Sequence, residues 1–413
     1  NLENLTPTDI VTSISAFSRL IKENNPNSSN LTVMTGRDGR KSGKMIQSIV
    51  NSTFNSMGIN VIDAGLSTTP TICWGVLNND SVGGLMITAS HNPEEYNGLK
   101  FFNSEGEFLS REHVSKLIEY SESKDHIFSS NESLGSIMEY ERLIDDHVDA
   151  ILNLKILPVK EIKDLNLSVS ADAINSGGSI AIPKLLDRLN IKYNIINSEI
   201  KGVFNHMPEP LAENLNLLCK KVTDEKADLG LASDPDGDRL SIVDNKGHAI
   251  GEESTLVLCA DTYYNEKKSK SPLVTNLSSS MCLDFIASKH NVPIFRSAIG
   301  EANVIELMKN KNASFGGEGN GGVILKDIHL GRDSLVATIM ILNMLAKENK
   351  TLDQIMTNIP NYYMIKEKVD IPNINVSSFY TYLSNIYNKS KKDTSDGLKL
   401  LWKDKWLHIR SSN

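Results

Sequence analysis

The sequence predicts an α/β protein built from repeated doubly wound units, with a smaller α+β domain at its end. Short apolar strands alternate with amphipathic helices at least three times, and a polar or glycine-containing loop follows several of the strands. Strands that alternate with helices of this length form parallel sheets covered by helices on both faces. The 413 residues suffice for about two to four such domains.

The first unit begins with the strand in LTVMTGRDGR, residues 31–40. A helix is expected from Ser42 to Gly58, because apolar residues recur there at the spacing of one helix face. These apolar positions are Met45, Ile46, Ile49, Val50 and Phe54. INVIDAG and GGLMITAS supply the next two strands of this unit.

The second and third units repeat the same order of elements. LSVSADAINSGGS opens the second unit, which continues through IPKLLDRLN and IKYNIIN to the strand ADLGLASD. LVTNLS opens the third unit, which ends at ASFGGEGNGG. In open parallel sheets, the loops at the carboxyl ends of the strands form the ligand crevice. The polar loops of the three units could therefore converge on one cleft.

Changes in composition divide the chain into four expected domains, at residues 1–136, 137–255, 256–358 and 359–413. The polar segment 120–136 is expected to be a surface connection. The segment YYMIKEKVDI, residues 362–371, is expected to be the first strand of the last domain. That domain ends with two strands around a polar turn and with no closing helix, so it is expected to be incomplete.

Composition narrows the possible partners and location. The net charge of -8 disfavours nucleic acid and anionic membranes as partners. No run approaches the roughly 18 apolar residues that cross a bilayer, so a cytoplasmic protein without a membrane partner is expected. The cysteines are scattered, which favours reduced core thiols over a zinc site or a redox pair.

The segment SDPDGDRLSIV contains the strongest candidate for a metal site. Asp234, Asp236 and Asp238 alternate in a tight turn, so three carboxylates can face one hard cation such as Mg²⁺. A calcium loop of the helix-loop-helix type would need glycine and glutamate where this chain has Arg239 and Asn245. A structural aspartate turn without a metal is the remaining alternative.

Ser90, in TASHNP at residues 88–93, is the candidate carrier of a phosphoryl group. The stretch lacks the G-x-S-x-G elbow of a hydrolase nucleophile, which makes an acyl-transfer triad improbable. A phosphorylated Ser90 would carry a charge near -2, which a cation on the three aspartates could balance. The alternative is that Ser90 only caps a helix.

Two further loops are candidates for substrate contacts. In FGGEGNGGVI, Glu318 and Asn320 are the only side chains among five glycines, which suits hydrogen bonds to sugar hydroxyls. Glycine-rich turns without a ligand are equally common, so this pattern alone is weak. At the end of the chain, Arg410, Ser412 and Asn413 could cradle a phosphate, or they could form an exposed terminus.

Together, in this order, these loops resemble those of the α-D-phosphohexomutase family, which includes phosphoglucomutases, phosphomannomutases and phosphoglucosamine mutases. TASHNPEEYNGLK is similar to the family's phosphoserine loop, DPDGDR to its metal loop, GEGNGG to its sugar loop and RSSN to its phosphate loop. The resemblance implies three related α/β domains and a smaller α+β domain around a central cleft. The variant GGEGNGGVI is most similar to phosphoglucosamine mutases.

The resemblance also implies a mechanism. A phosphoserine at position 90 would pass its phosphoryl group to a hexose monophosphate, and the hexose 1,6-bisphosphate would return its other phosphoryl group to the enzyme. One Mg²⁺ would be held by Ser90 and the aspartate triplet. His91 and Lys100 would serve in proton transfer and charge balance, beside Arg239, in an isomerase that acts on a phosphosugar.

Some features differ from the family pattern. Asn320 and Gly322 stand where the family often has serine and histidine, so a general base cannot be assigned from that loop. An N-terminal loop and the residues that usually follow RSSN are absent from this sequence. The preferred hexose (glucosamine, glucose or mannose) and the choice between monomer and homodimer stay open. A phosphosugar phosphatase and an inactive phosphosugar-binding homologue are the other functional hypotheses.

Overall fold

The computed structural model describes residues 5–123, 125–369 and 375–411, and it contains four sheets. The first sheet has the order β4-β3-β1-β2-β5, with β3 and β4 antiparallel and the other pairs parallel. Its strands are β1 (Thr32–Arg37), β2 (Asn60–Leu66), β3 (Gly83–Ile87), β4 (Leu99–Phe102) and β5 (Ile137–Glu139). Its helices are α1 (Pro7–Asn24), α2 (Gly43–Ser56), α3 (Thr69–Asn78) and α4 (Arg111–Ser123).

The second and third sheets repeat this arrangement with four strands each, in the orders β7-β6-β8-β9 and β11-β10-β12-β13. The second unit contains β6 (Ser168–Asp172), β7 (Lys192–Ile196), β8 (Leu229–Ser233) and β9 (Leu240–Val243), with α5 (Leu143–Leu152), α6 (Val159–Asp164), α7 (Gly178–Arg188) and α8 (Asn216–Glu225). The third contains β10 (Leu273–Asn276), β11 (Ile294–Ser297), β12 (Phe315–Glu318) and β13 (Gly322–Leu325), with α9 (Glu252–Lys267), α10 (Cys282–His290), α11 (Glu301–Lys311), α12 (Ser334–Glu348) and α13 (Leu352–Met356).

The three sheets confirm the predicted α/β class and differ from it in one respect. Each sheet ends in an antiparallel strand, namely β4, β9 or β13, so the sheets are mixed and not wholly parallel. Each of these strands pairs with the strand that precedes it in the chain, so the two form a hairpin. The candidate loops with Ser90, the aspartates and Glu318 lie at the ends of these three hairpins, at equivalent positions of the three units.

The small fourth unit has the sheet order β14-β15-β16, with β14 (Lys391–Asp393), β15 (Leu398–Leu401), β16 (Trp406–Ile409) and α14 (Val376–Ile386). The two terminal strands were expected, but the strand expected at 362–371 is wrong where the chain is described, because residues 362–369 form no strand. Lys399 docks this unit on the third one, since its ammonium donates to the carbonyl of Leu277. Ser278 and His408 form a second contact of 2.7 Å there.

Hydrophobic cores join the units. One cluster runs continuously through the second and third units, from Ile144 to Ile355, and two others fill the first unit.

The helix expected after Ser42 is confirmed as α2, although Met45 lies 40% exposed rather than in the core. The strand β5 begins at Ile137 and pairs with β2, so the first sheet extends past residue 136. All four cysteines are free thiols. Within the described ranges, no helix is both long and apolar enough to cross a bilayer.

Candidate active site

Ser90 lies in the loop between β3 and β4, in a left-handed backbone conformation with φ of 49°. This conformation is uncommon for a residue with a side chain, so neighbouring groups must stabilise it. The Ser90 N–H donates to Thr88 Oγ1 at 2.9 Å. Thr88 in turn donates to Asp38 Oδ2 at 2.7 Å. The loop is therefore anchored to the segment that follows β1.

Arg40 stabilises the same loop through hydrogen bonds to its backbone. Its side chain is fully buried and pairs with Asp38 Oδ2 at 2.9 Å. Its two terminal nitrogens donate to four carbonyl oxygens of the loop, those of Ser90 (2.6 Å), Asn92 (2.8 Å), Pro93 (2.5 Å) and Tyr96 (2.9 Å). A guanidinium group has five N–H donors in a fixed plane, so one buried side chain can fix the course of this loop.

The aspartate loop between β8 and β9 is buried. Loops between strands are normally expected at the protein surface, but Asp234, Asp236 and Asp238 are each 0% exposed. Asp234 Oδ1 organises the turn by accepting the backbone N–H groups of Asp238 at 3.1 Å and Arg239 at 3.2 Å. Gly237 takes a positive φ of 69° there, which glycine tolerates because it has no Cβ atom.

The structure brings Ser90 and the aspartate loop together. Ser90 Oγ donates to Asp234 Oδ2 at 3.1 Å. Lys100 on β4 also crosses to this loop, and its Nζ lies 2.6 Å from Asp236 Oδ2 and 3.3 Å from Asp238 Oδ2. The hairpin that carries Ser90 therefore faces the hairpin that carries the three carboxylates.

The three carboxylates fit a divalent cation. They each offer an oxygen within 4.8 Å of the others. Asp236 Oδ1 and Asp238 Oδ1 are buried without a hydrogen-bond partner, although nearly all buried polar atoms have one. A bound cation would satisfy both atoms and reduce the repulsion among the three charges. Hard oxygen ligands of this kind are those that Mg²⁺ prefers.

Burial and charge also perturb the acidities in this cluster. Burial, and then the charges of Asp238 and Asp236, raise the pKa of Asp234 well above its ordinary value. Burial alone would raise the pKa of Asp238 too, but the charges of Arg332 and Lys100 outweigh it and hold that pKa far below its ordinary value. For Lys100, the two carboxylates outweigh the effect of burial and raise its pKa. The lysine therefore stays charged.

His91 and Arg239 both lie close to Glu209, next to Ser90 and the aspartate loop. His91 Nδ1 lies 3.4 Å from Ser90 Oγ, and its Nε2 lies 3.8 Å from Glu209 Oε1. Arg239 Nη1 donates to the same Glu209 oxygen at 3.3 Å. Burial and the positive charge of Arg239 lower the pKa of His91.

Arg332 connects the aspartate loop to the glycine-rich loop. Its guanidinium group lies 2.7 Å from Asp238 Oδ2, 2.9 Å from Glu318 Oε2 and 3.0 Å from Glu301 Oε2. Glu318 Oε1 also accepts the side-chain amide of Asn276 at 2.9 Å. The three loops that the sequence singled out therefore converge, through a residue that the sequence analysis did not select.

Gly322 leaves the space that Arg332 fills. A Cβ atom at position 322 would lie 2.2 Å from Arg332 Cδ, so no side chain fits there with Arg332 in place. Asn320 is half-buried, and its Oδ1 accepts the N–H of Gly322 at 3.3 Å. Gly322 stands where the family often has histidine, and the Arg332 side chain occupies the space that a side chain at 322 would need.

The C-terminal candidates are only partly described. Arg410 donates to the carbonyl of Ser411 at 3.2 Å. In the described part of the chain, Arg410 forms no hydrogen bond or ion pair with Ser90 or with Glu318. Ser412 and Asn413 lie outside the described residues. The phosphate cradle expected at 410–413 stays a prediction.

Sequence reasoning missed the charged residues that support the site. Arg40 and Asp38 follow the carboxyl end of β1, and Arg332 follows β13. A signal was available for the first pair, because GRDGR places charged residues at the end of an apolar strand. Arg332 was harder to identify from the sequence, because its partners Glu301 and Asp238 lie far from it along the chain.

Known proteins are similar to this chain over most of its length. Sequence models of phosphoglucomutase/phosphomannomutase alpha/beta/alpha domains I, II and III match residues 1–127, 145–247 and 252–363, respectively. A phosphoglucomutase/phosphomannomutase from Thermococcus kodakarensis is 34% identical over 92% of this chain and 83% of its own length. A phosphoglucosamine/phosphogalactosamine mutase from Sulfurisphaera tokodaii is 30% identical over 93% of this chain and 85% of its own length.

The fold is also that of a solved relative. A phosphoglucomutase/phosphomannomutase family protein from Burkholderia thailandensis superposes with a TM-score of 0.83 at 23% identity, and the match covers 98% of this chain and 87% of the other. The three domain matches together span most of the chain, in the order of the three repeated units. The chain therefore belongs to the α-D-phosphohexomutase family, which contains the phosphoglucomutases, phosphomannomutases and phosphoglucosamine mutases.

Proposed function

We propose that this protein is an Mg²⁺-dependent phosphohexomutase that transfers a phosphoryl group between Ser90 and a hexose phosphate. The observation that carries the proposal is the 3.1 Å distance from Ser90 Oγ to Asp234 Oδ2. It joins the Ser90 hydroxyl, in the first hairpin loop, to the carboxylate cluster of the second hairpin. Phosphoryl transfer depends mainly on positioning and charge stabilisation, and this arrangement can supply both.

Asp234, Asp236 and Asp238 would hold the cation, with the phosphorylated Ser90 as a further ligand. Asp236 Oδ1 and Asp238 Oδ1, which are buried and accept no hydrogen bond, support this assignment. When bound, Mg²⁺ would neutralise the charge that gathers on the phosphoryl oxygens during transfer. Lys100 would add a positive charge at the same place, because it already contacts Asp236 and Asp238.

The phosphoryl group would move between Ser90 Oγ and a hydroxyl oxygen of the sugar. The bond between phosphorus and Ser90 Oγ breaks as a hydroxyl oxygen of the sugar bonds to phosphorus, and the hydroxyl proton passes to a base. The resulting hexose 1,6-bisphosphate reorients, and Ser90 Oγ takes the other phosphoryl group, which releases the isomeric monophosphate. His91 is the candidate for proton transfer to and from Ser90, because its Nδ1 lies 3.4 Å from Oγ. Arg239 would balance charge beside the aspartate loop.

Glu318 and Asn320 would contact the sugar hydroxyls. The Glu318 carboxylate accepts from Asn276, Arg332 and the N–H of Gly300. A carboxylate offers about four acceptor sites, so one stays available for a hydroxyl. Arg410, Ser412 and Asn413 would bind the phosphate that is not being transferred, as the family resemblance suggests.

Glucosamine 6-phosphate and glucosamine 1-phosphate are the proposed substrate pair. The name of the Sulfurisphaera tokodaii relative supports an amino sugar. The name of the Thermococcus kodakarensis relative supports the second candidate, a glucose or mannose phosphate. Initial rates with glucosamine, glucose and mannose 6-phosphates at equal concentration would rank them. A preference for glucose or mannose would reject the amino-sugar proposal.

The mutase proposal is tested by incubating the protein with Mg²⁺ and a hexose 1,6-bisphosphate, followed by intact-mass measurement. We expect one phosphoryl group on the wild type, none on Ser90→Ala, and one on Ser104→Ala, which removes an exposed serine of the same unit. Label that persists in Ser90→Ala would reject the assignment. Label on Ser90 with phosphate release in place of isomerisation would indicate a phosphatase, and label without turnover an inactive homologue.

A further inference from the structure

A second cluster of potential ligands lies apart from the aspartate loop. It consists of His147 on α5, His329 in the segment after β13, and Asp333, the residue before α12. The three side chains are 0%, 3% and 1% exposed, respectively. Two of the residues belong to the third unit and one to the second, so the cluster joins two units of the protein.

The distances in this cluster suit a tetrahedral ion. His147 Nε2 lies 3.1 Å from Asp333 Oδ2, and His329 Nε2 lies 3.3 Å from the same oxygen. Zinc binds imidazole nitrogens and carboxylate oxygens at about 2.0–2.2 Å in a tetrahedron, which separates neighbouring ligand atoms by about 3.3 Å. Neither histidine would have to move far to share an ion with Asp333.

The environment of His147 Nε2 indicates that this atom can bind a metal ion. It is buried and makes no hydrogen bond, although Asp333 Oδ2 is close enough to accept one. The other ring nitrogen, Nδ1, lies 3.1 Å from Thr71 Oγ1 on α3. If Nδ1–H donates to that hydroxyl, Nε2 carries a lone pair. This is the tautomer and the outer hydrogen bond that metal-binding histidines usually have.

The remaining contacts hold the ligands in place. Asp333 Oδ1 caps α12 by accepting the N–H groups of Leu335 at 2.8 Å and Val336 at 3.2 Å, which directs Oδ2 towards the histidines. Trp74 on α3 stacks on the His147 ring with a centroid distance of 5.4 Å. The first unit thus positions a ligand that belongs to the second.

We propose that His147, His329 and Asp333 bind one transition-metal ion of the zinc type, which fastens the second unit to the third beside α3 of the first. Two imidazoles and one carboxylate favour such an ion over Mg²⁺, which prefers oxygen ligands. The proposal does not depend on the function proposed above, because none of the three residues contacts Ser90 or the aspartate triplet in the described structure. The competing arrangement is a hydrogen-bonded pair of histidines around Asp333 without a metal.

Zinc binding can be measured directly. The full chain carrying Asp236→Asn, which weakens the other cation site, would be titrated with Zn²⁺ against a chromophoric chelator. We expect about one equivalent to bind, and His147→Phe or His329→Asn to weaken binding at least about tenfold. His290→Gln is the control, since it removes a partly buried imidazole that pairs with Asp261 Oδ1 at 2.6 Å outside both clusters. It should leave zinc binding unchanged.

Two outcomes would overturn the proposal: a folded protein that binds no Zn²⁺, or equal binding by the histidine variants. If those variants fail to fold, X-ray absorption at the zinc edge of the zinc-loaded Asp236→Asn protein decides the question. Scattering from two imidazole rings at about 2.0–2.1 Å would support the site. A shell of oxygen ligands alone would reject it, because it would place the ion among the aspartates.

Discussion

Arg40 Nη2 donates to the backbone carbonyl of Ser90 at 2.6 Å, across 50 positions of the chain. This contact means that a buried ion pair of another segment helps to position the loop of the proposed phosphoserine. Asp38 completes the pair and also accepts the hydroxyl of Thr88. The position of Ser90 relative to the aspartates therefore depends on residues outside the carboxylate cluster.

Replacing Arg40 by methionine tests this dependence. Arg40→Met leaves Asp38 buried without its partner, so we expect a loss of about 3–5 kcal/mol in the free energy of unfolding. The rate of Ser90 phosphorylation should also fall, since the loop loses four hydrogen bonds. Urea unfolding would measure the first effect. Arg19→Met is the control, because its ion pair with Glu23 is exposed and contributes little to stability. Equal losses in the two variants would contradict the prediction.

Asp236→Asn should slow turnover by about 10²–10³-fold, because it removes one charge from the proposed cation site. The loop is buried, yet asparagine has nearly the same shape, so we expect the variant to fold. Adding Mg²⁺ should raise the melting temperature of the wild type and change that of the variant much less. A variant that turns over normally, or that responds to Mg²⁺ as the wild type does, would refute the assignment of Asp236.

Gly322→Ala tests the space taken by Arg332. The new Cβ would lie 2.2 Å from Arg332 Cδ, so Arg332 must move and its ion pairs must weaken. We expect a destabilisation of about 1–3 kcal/mol, measured by chemical unfolding, together with lower activity. Gly251→Ala is a control for activity only, because its Cβ would meet nothing within 4 Å but its φ of 84° strains any side chain there. A fully active and stable Gly322→Ala protein would show that Arg332 adapts freely.

Lys399 provides a prediction about pH. Its side chain is buried between the third and fourth units, and burial, followed by the charge of Arg296, lowers its pKa to about 7. The ordinary lysine pKa is 10.5, so the unfolded chain binds a proton that the folded chain releases between these values. Stability from this group is thus lowest below pH 7 and increases as the pH rises towards 10.5.

Lys399→Met should therefore stabilise the protein most at pH 6–7, where wild-type Lys399 is charged and buried, and less at each higher pH up to about 10. Thermal unfolding of both proteins at matched pH values measures the difference. Lys405→Met is a suitable control, since Lys405 is an exposed lysine of the same unit. A difference that grows with pH would contradict the direction of the predicted shift.

Sequence reasoning predicted the features that depend on local pattern. Alternating strands and helices gave the three α/β units, and the polar residues after β3, β8 and β12 identified the loops that meet at Ser90 and Asp234. These features follow from side-chain periodicity and from the rule that ligand crevices form at strand ends. They need no knowledge of which distant residues touch.

The contacts that support the loops were not predictable in this way. Arg40 and Arg332 are charged, and charged residues are normally expected at the surface, yet both are buried because distant carboxylates and carbonyls surround them. The burial of the aspartate loop has the same origin, since it depends on packing between units. The strand expected at 362–371 was wrong over 362–369 because alternating apolar residues do not by themselves supply a pairing partner.

The three hairpins suggest how such a site can diversify. Each loop is closed by its own pair of antiparallel strands, so a longer or shorter loop in one unit need not disturb the register of the other two sheets. In the proposed mechanism, carrying the phosphoryl group, holding the ion and selecting the sugar would fall to three separate hairpins of one repeated plan. Selection for a new sugar could act on the third hairpin while the chemical steps in the first two are preserved.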